Sequence, residues 1–146
     1  MDVLLVDSVP LVRRLAAEML EDAGLALAEA RDHATALAAV TAGGAVPGAL
    51  VVALRPAPRG TRDCGAEARA LAAEIGRRCG GTAPPVLCTG ESRILLGGGG
   101  EAEPEERFLE EPYGQAELVR IVLDLLGRPA AAPWLVRRAR RRDPAG

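Results

Sequence analysis

The stretch PGALVVALRPAP, residues 47–58, decides how the rest of the chain is read. Leu50, Val51, Val52 and Leu54 form an apolar run entered through Pro-Gly and left through a Pro-rich segment. A short run bounded by turn signals suits a strand buried on both faces of a parallel sheet. In open α/β sheets the chemistry sits beyond the carboxyl ends of the strands. This strand ends Val-Ala-Leu-Arg, so Ala53 offers neither carboxylate, hydroxyl nor thiol at its tip.

Similar runs lie on either side. VLLV (3–6) reads as a first strand ending at Asp7-Ser8, and LALAEA (25–30) as a second. VLCT (86–89) and RFLEE (107–111) follow the opening strand as a fourth and a fifth. Between them the apolar period changes from strand to helix. Leu11, Val12, Leu15, Ala16, Met19 and Leu20 recur at helical spacing, with Pro10 in the first turn, Ser8 as a cap and Gly24 as a stop. Asp32 caps a second helix that TAGG ends. Asp63 caps a third over 65–78, with Leu71 and Ile75 inward. The segment 117–127 is the most amphipathic, with Leu118, Ile121, Val122 and Leu125 facing the core. Strands alternating with helices predict a parallel sheet joined by right-handed crossovers.

One unit breaks the alternation. A helix is due at 91–106, but ESRILLGGGGEAEPEE places four glycines together, each costing about 1 kcal/mol relative to Ala in a helix. An irregular segment is expected in its place. The glycines make a poor phosphate cradle, since no GK[ST] follows and no strand leads into them.

Composition sets the remaining bounds. A chain of 146 residues fits one domain over 1–128 and a tail over 129–146. Phe108, Tyr113 and Trp134 are the only aromatics, so the core must be aliphatic. Three scattered cysteines (Cys64, Cys79, Cys88) suggest neither a disulfide framework nor zinc, and read as small core or loop residues. No apolar stretch approaches the roughly 20 residues of a membrane span, and MDVLLVDS does not read as a signal peptide, so a cytoplasmic location is expected. Residues 101–111 carry six acids against Arg107. The tail carries Arg137, Arg138, Arg140, Arg141 and Arg142, and the chain contains no Lys at all. The plain reading of the tail is a solvated end. The alternatives are contact with nucleic acid, an anionic surface or an acidic partner, or with the acidic 101–111 segment of a neighbouring chain.

Four pieces in this order resemble the receiver domain of two-component response regulators, the CheY-like family, over about residues 2–127. VLLVDSVPLVRR resembles its first strand, acidic pair and helix; PGALVVALRP its acceptor strand; PVLCTGE the strand bearing Thr or Ser; and RFLEEPYGQAEL the segment with its Lys-Pro step. The resemblance implies a flavodoxin-like sandwich with a five-stranded sheet of order 2-1-3-4-5. It implies Mg²⁺ held by an acidic pair and an acceptor Asp, which takes a phosphoryl group from a histidine kinase. It further implies that Glu111-Pro112 is cis.

Carried over by position, Asp7 is the first acid and Ser8 stands for the second. Ala53 stands at the acceptor, Thr89 matches, Phe108 stands for the switching aromatic, and Glu111 replaces Lys before Pro112. A methyl group at 53 has no attacking oxygen, and two of three Mg²⁺ ligands are gone, leaving at most weak metal binding at Asp7. Three carboxylates with one Lys sum to the same charge as Asp7 with Glu111, so the changes look coordinated. The expectation is a non-enzymatic pseudo-receiver that binds a kinase, phosphotransfer or output protein without Asp phosphorylation and needs no cofactor. The rival readings are phosphorylation at another residue such as Asp7, and an unrelated flavodoxin-like ligand-binding protein.

Asp7 serves as an N-terminal helix partner or solvated acid, Thr89 satisfies a backbone group, and His33 is exposed and inert. Arg55 pairs with Glu111 or Asp7 at the surface, where such a pair is worth little.

Overall fold

Val3, Leu4, Leu5 and Val6 are all buried and form β1 (Val3–Val6), which lies inside a sheet rather than at its edge. The computed structural model describes residues 1–55, 64–90 and 107–128. Around β1 stand β2 (Leu27–Ala30), β3 (Ala49–Ala53), β4 (Val86–Gly90) and β5 (Arg107–Glu110). All four pairings are parallel, as the alternating pattern predicts, and the order is β2-β1-β3-β4-β5, as the resemblance implies. The register sets Ala53 opposite Thr89 and Gly90 opposite Glu110, so the carboxyl ends of three strands share one edge of the sheet.

Successive strand residues point to opposite faces, and each face has its own core. Val3, Leu5, Val51 and Leu87 meet Ala16, Ala17 and Leu20 of α1 (Pro10–Asp22), with Leu118, Val119, Val122 and Leu123 of α4 (Gln115–Leu125). Leu4, Val6, Leu50, Val52 and Cys88 meet α2 (His33–Gly43) and α3 (Cys64–Arg78) through Val40, Leu71 and Ile75. Apart from Cys88, the buried apolar residues among those described are aliphatic, with Phe108 and Tyr113 packed partly buried against them.

Several local expectations are corrected. Ser8 is exposed and does not cap α1; the N-cap residue is Val9, whose N–H donates to Asp7 Oδ1 at 2.9 Å. The Asp7 carboxylate meets this N–H in the turn before the helix, and no side chain caps α1. Leu25 precedes β2 instead of opening it, and sits in the core with its N–H bonded to Leu20 O. In α4, Val119 and Leu123 are buried, whereas Ile121 and Leu125 are only partly covered. The helix is rotated by about one residue relative to the stripe read from its leucines.

Other signals act as read. Asp32 accepts from Thr35 N at 2.8 Å, and Gly44 closes α2 with a positive φ of 71°. Gly76 is required for packing: a Cβ there would lie 2.8 Å from Ala83 N and 2.9 Å from Thr82 C, both backbone atoms. The irregular segment expected over 91–106, the cap at Asp63 and the arginine-rich tail lie outside the described residues.

Candidate functional site

The guanidinium of Arg55 lies across the carboxyl edge of the sheet and grips two carboxylates at once. Its Nε and Nη2 donate to Asp7 Oδ1 and Oδ2 at 3.1 and 2.7 Å. Its Nη1 and Nη2 donate to Glu111 Oε1 and Oε2 at 2.6 and 3.2 Å. Both contacts are two-pronged, the geometry in which a planar guanidinium matches a carboxylate best.

Each partner is placed by a different strand. Asp7 follows β1 and is fixed by its backbone N–H to Ala30 O, while its own carbonyl accepts from Arg13 Nη1. Arg55 follows β3, two residues past Ala53, and the preceding N–H of Leu54 bonds Thr89 O at 2.7 Å. Glu111 follows β5, held by its N–H to Gly90 O and by a cis bond to Pro112, the isomer expected at that step. Thr89, buried at 2 % exposure, donates from Oγ1 to Glu111 Oε2 at 3.4 Å.

Arg55 pairs with Asp7 and Glu111 as expected, but with both at once and away from the open surface. The side chains of Asp7 and Glu111 are 3 % and 14 % exposed, and that of Arg55 is 24 % exposed. Asp7 is therefore no solvated acid, and the side-chain partner of Thr89 is a carboxylate rather than a backbone group. Its hydrogen bonds to Asp7, then to Glu111, hold the Arg55 pKa above the ordinary arginine value against the opposing cost of burial. The charge sum of the cluster is −1, and its cation comes from the chain itself.

The structure brings Asp7, Ala53, Thr89 and Glu111 together, with Ser8 exposed at the margin. Phe108 stands slightly apart, half-buried against the core under α2 and α3. A cleft of about 460 Å³ opens beside the cluster, lined by Asp7, Ser8, His33, Ala53, Arg55 and Glu67 among others. His33 is thus half-buried on a cleft wall rather than fully exposed. Cys88 is buried and Cys79 half-buried, consistent with packing roles.

Burial pushes the Tyr113 phenol up to about 12, with the Glu111 and Asp7 carboxylates adding to the shift. The folded state favours the protonated phenol. Its contribution to stability is therefore complete below the unfolded pKa of about 10 and is lost as pH rises toward 12. Tyr113 is the only Tyr, so tyrosinate absorbance of the folded protein should rise with a midpoint near pH 12. A midpoint near 10 with secondary structure intact would show a solvated phenol.

No family model and no curated protein matches the chain. Solved structures do. The receiver domain of the hybrid histidine kinase CckA superposes with a TM-score of 0.60 at 22 % identity, covering 85 % of this chain and 97 % of that one. A response regulator receiver protein from Sinorhizobium medicae gives 0.60 at 23 % identity, covering 86 % and 93 %. The receiver domain of NtrX from Brucella abortus gives 0.59 at 23 % identity, covering 86 % and 98 %. The chain has the CheY-like receiver fold.

Within the receiver fold, the donor set does not suit a resident Mg²⁺. That ion wants near-octahedral oxygen ligation with carboxylate help. Both oxygens of Asp7 are engaged by Arg55, and position 53 presents a methyl group. Among the described residues no three His, Cys, Asp or Glu side chains gather in a metal-holding group. Nor does any helix among them have the length and apolarity to cross a membrane.

Proposed function

We propose that residues 1–128 form a receiver-like interaction module of a two-component pathway that works without phosphorylation of an aspartate. Its partner would be a histidine kinase, a phosphotransfer protein or an output protein in the cytoplasm. The module has no enzymatic activity of its own. One observation carries the reading: Arg55 bridges Asp7 and Glu111 beside Ala53. An attacking oxygen is absent at 53, and the place of a divalent cation is taken by a side chain. Thr89 and Glu111 are then held in one arrangement without any added group.

The bridge also weighs against Asp7 as a substitute acceptor. A carboxylate must present a free oxygen to phosphorus, and each oxygen of Asp7 already accepts a bond from Arg55. Incubation with acetyl phosphate and Mg²⁺ should leave the intact mass unchanged. A hydroxylamine-labile adduct of one phosphoryl group would sink the proposal and favour a non-standard acceptor.

A further inference from the structure

Strands β1 and β3 are neighbours in the sheet, yet the chain leaves β1 for α1 on one face and β3 for α3 on the other. Connections that part in this way open a crevice at the carboxyl ends of the two strands, where open α/β sheets take their ligands. The cleft beside the Arg55 bridge lies there, between Asp7 and Ser8 after β1 and Ala53 at the end of β3. Its volume of about 460 Å³ falls within the range of roughly 300–1,000 Å³ typical of small-molecule pockets. A second hollow of about 80 Å³ shares His33 and Ala53 with it.

The lining selects against a charged ligand. Asp7 and Arg55 are paired with each other, Arg31 Nε meets Asp32 Oδ2 at 3.6 Å, and Asp32 Oδ1 is taken by Thr35 N. Glu67 is engaged as well. No glycine stands at 7–10 or 53–55, so the strand ends offer no phosphate-cradling loop.

What remains is apolar lining from Val6, Val52 and Ala53, with two polar groups on the same walls. His33 is half-buried and Ser8 exposed, and neither side chain bonds another described residue. A neutral imidazole carries one donor and one acceptor, and a hydroxyl serves as both. An uncharged ring with an amide or hydroxyl at its edge matches this set, and a flat ring uses the imidazole surface as well as its nitrogens.

We propose that the cleft binds a small uncharged aromatic compound bearing an amide or hydroxyl, seated on Val52 and Ala53 with its polar edge at His33 and Ser8. Ala53 makes the room, since a longer side chain there stands in the cleft. Labelling by acetyl phosphate does not bear on this site, so this proposal and the preceding one fail separately.

Benzamide, benzoate and benzamidine share one ring and differ in charge. Saturation-transfer NMR on the full chain should show benzamide bound with a millimolar Kd, and the two charged analogues bound about fivefold more weakly or less. Ala53→Leu fills the cleft and should weaken benzamide about tenfold, with an unchanged circular dichroism spectrum. His33→Ala should weaken it several-fold, and keeps the test available if Ala53→Leu does not fold. Absence of benzamide binding overturns the proposal, as does binding that either variant, folded, leaves unchanged. Tighter binding of benzoate or benzamidine than of benzamide overturns it too, because the cleft then selects for charge.

Discussion

Replacing Arg55 with Met lowers the unfolding free energy by about 3 kcal/mol, at the lower edge of the cost of stripping one partner from a buried ion pair. Met keeps much of the apolar stem, so the loss reports charge and hydrogen bonds more than packing. Two carboxylates, 3 % and 14 % exposed, are left facing each other without their cation. For a domain of this size the melting temperature should fall by about 10 °C. Adding Asp7→Asn and Glu111→Gln to Arg55→Met should recover much of the loss, because uncharged groups tolerate the site better than unpaired charges. Mg²⁺ should raise the melting temperature of Arg55→Met and leave that of the parent unchanged, since only the variant offers free carboxylates. A loss under 0.5 kcal/mol for Arg55→Met would mean that the carboxylates are solvated and that the bridge holds nothing.

The sheet was legible because its evidence is local. β1, β3 and β4 are short buried apolar runs between turn signals, and with the weaker β2 and β5 they make a strand–helix alternation that few topologies accommodate. Asp7, Ala53, Thr89 and Glu111 were legible as strand ends, and the topology alone gathers such ends. The weight of Arg55 is hidden in the sequence for a physical reason. Its worth depends on the burial of Asp7 and Glu111, which stand 48 and 56 positions away, and burial at a strand end is set by the surrounding segments. One signal was in view: a chain without Lys places an Arg two residues beyond a strand tip that has no reactive group. The start of α1 is obscure for a related reason: Ser8 is a good capping type, but the turn places Val9 at the N-cap and leaves the helix without a side-chain cap.

The bridge changes what is needed to restore phosphotransfer. Ala53→Asp supplies an attacking oxygen but places a third carboxylate beside Asp7 and Glu111, with Arg55 as the single cation among them. Arg55 can swing onto the new carboxylate, and an oxygen committed to a guanidinium is a poor nucleophile. Ser8 still leaves the Mg²⁺ ligand set short of an acid. The single variant should therefore label slowly, if at all, from acetyl phosphate. Ser8→Asp, Ala53→Asp, Glu111→Lys rebuilds the acids and the Lys, yet Arg55 remains as a competitor for the metal's place. That triple variant should label faster than Ala53→Asp. Adding Arg55→Ala should label fastest, because Mg²⁺ then meets three acids without having to displace a side chain. The ranking is read from initial labelling rates at saturating Mg²⁺ for all three proteins. Rapid labelling of Ala53→Asp, equal to that of the fourfold variant, would show that Arg55, Ser8 and Glu111 place no barrier, and that the methyl group at 53 alone silences the site.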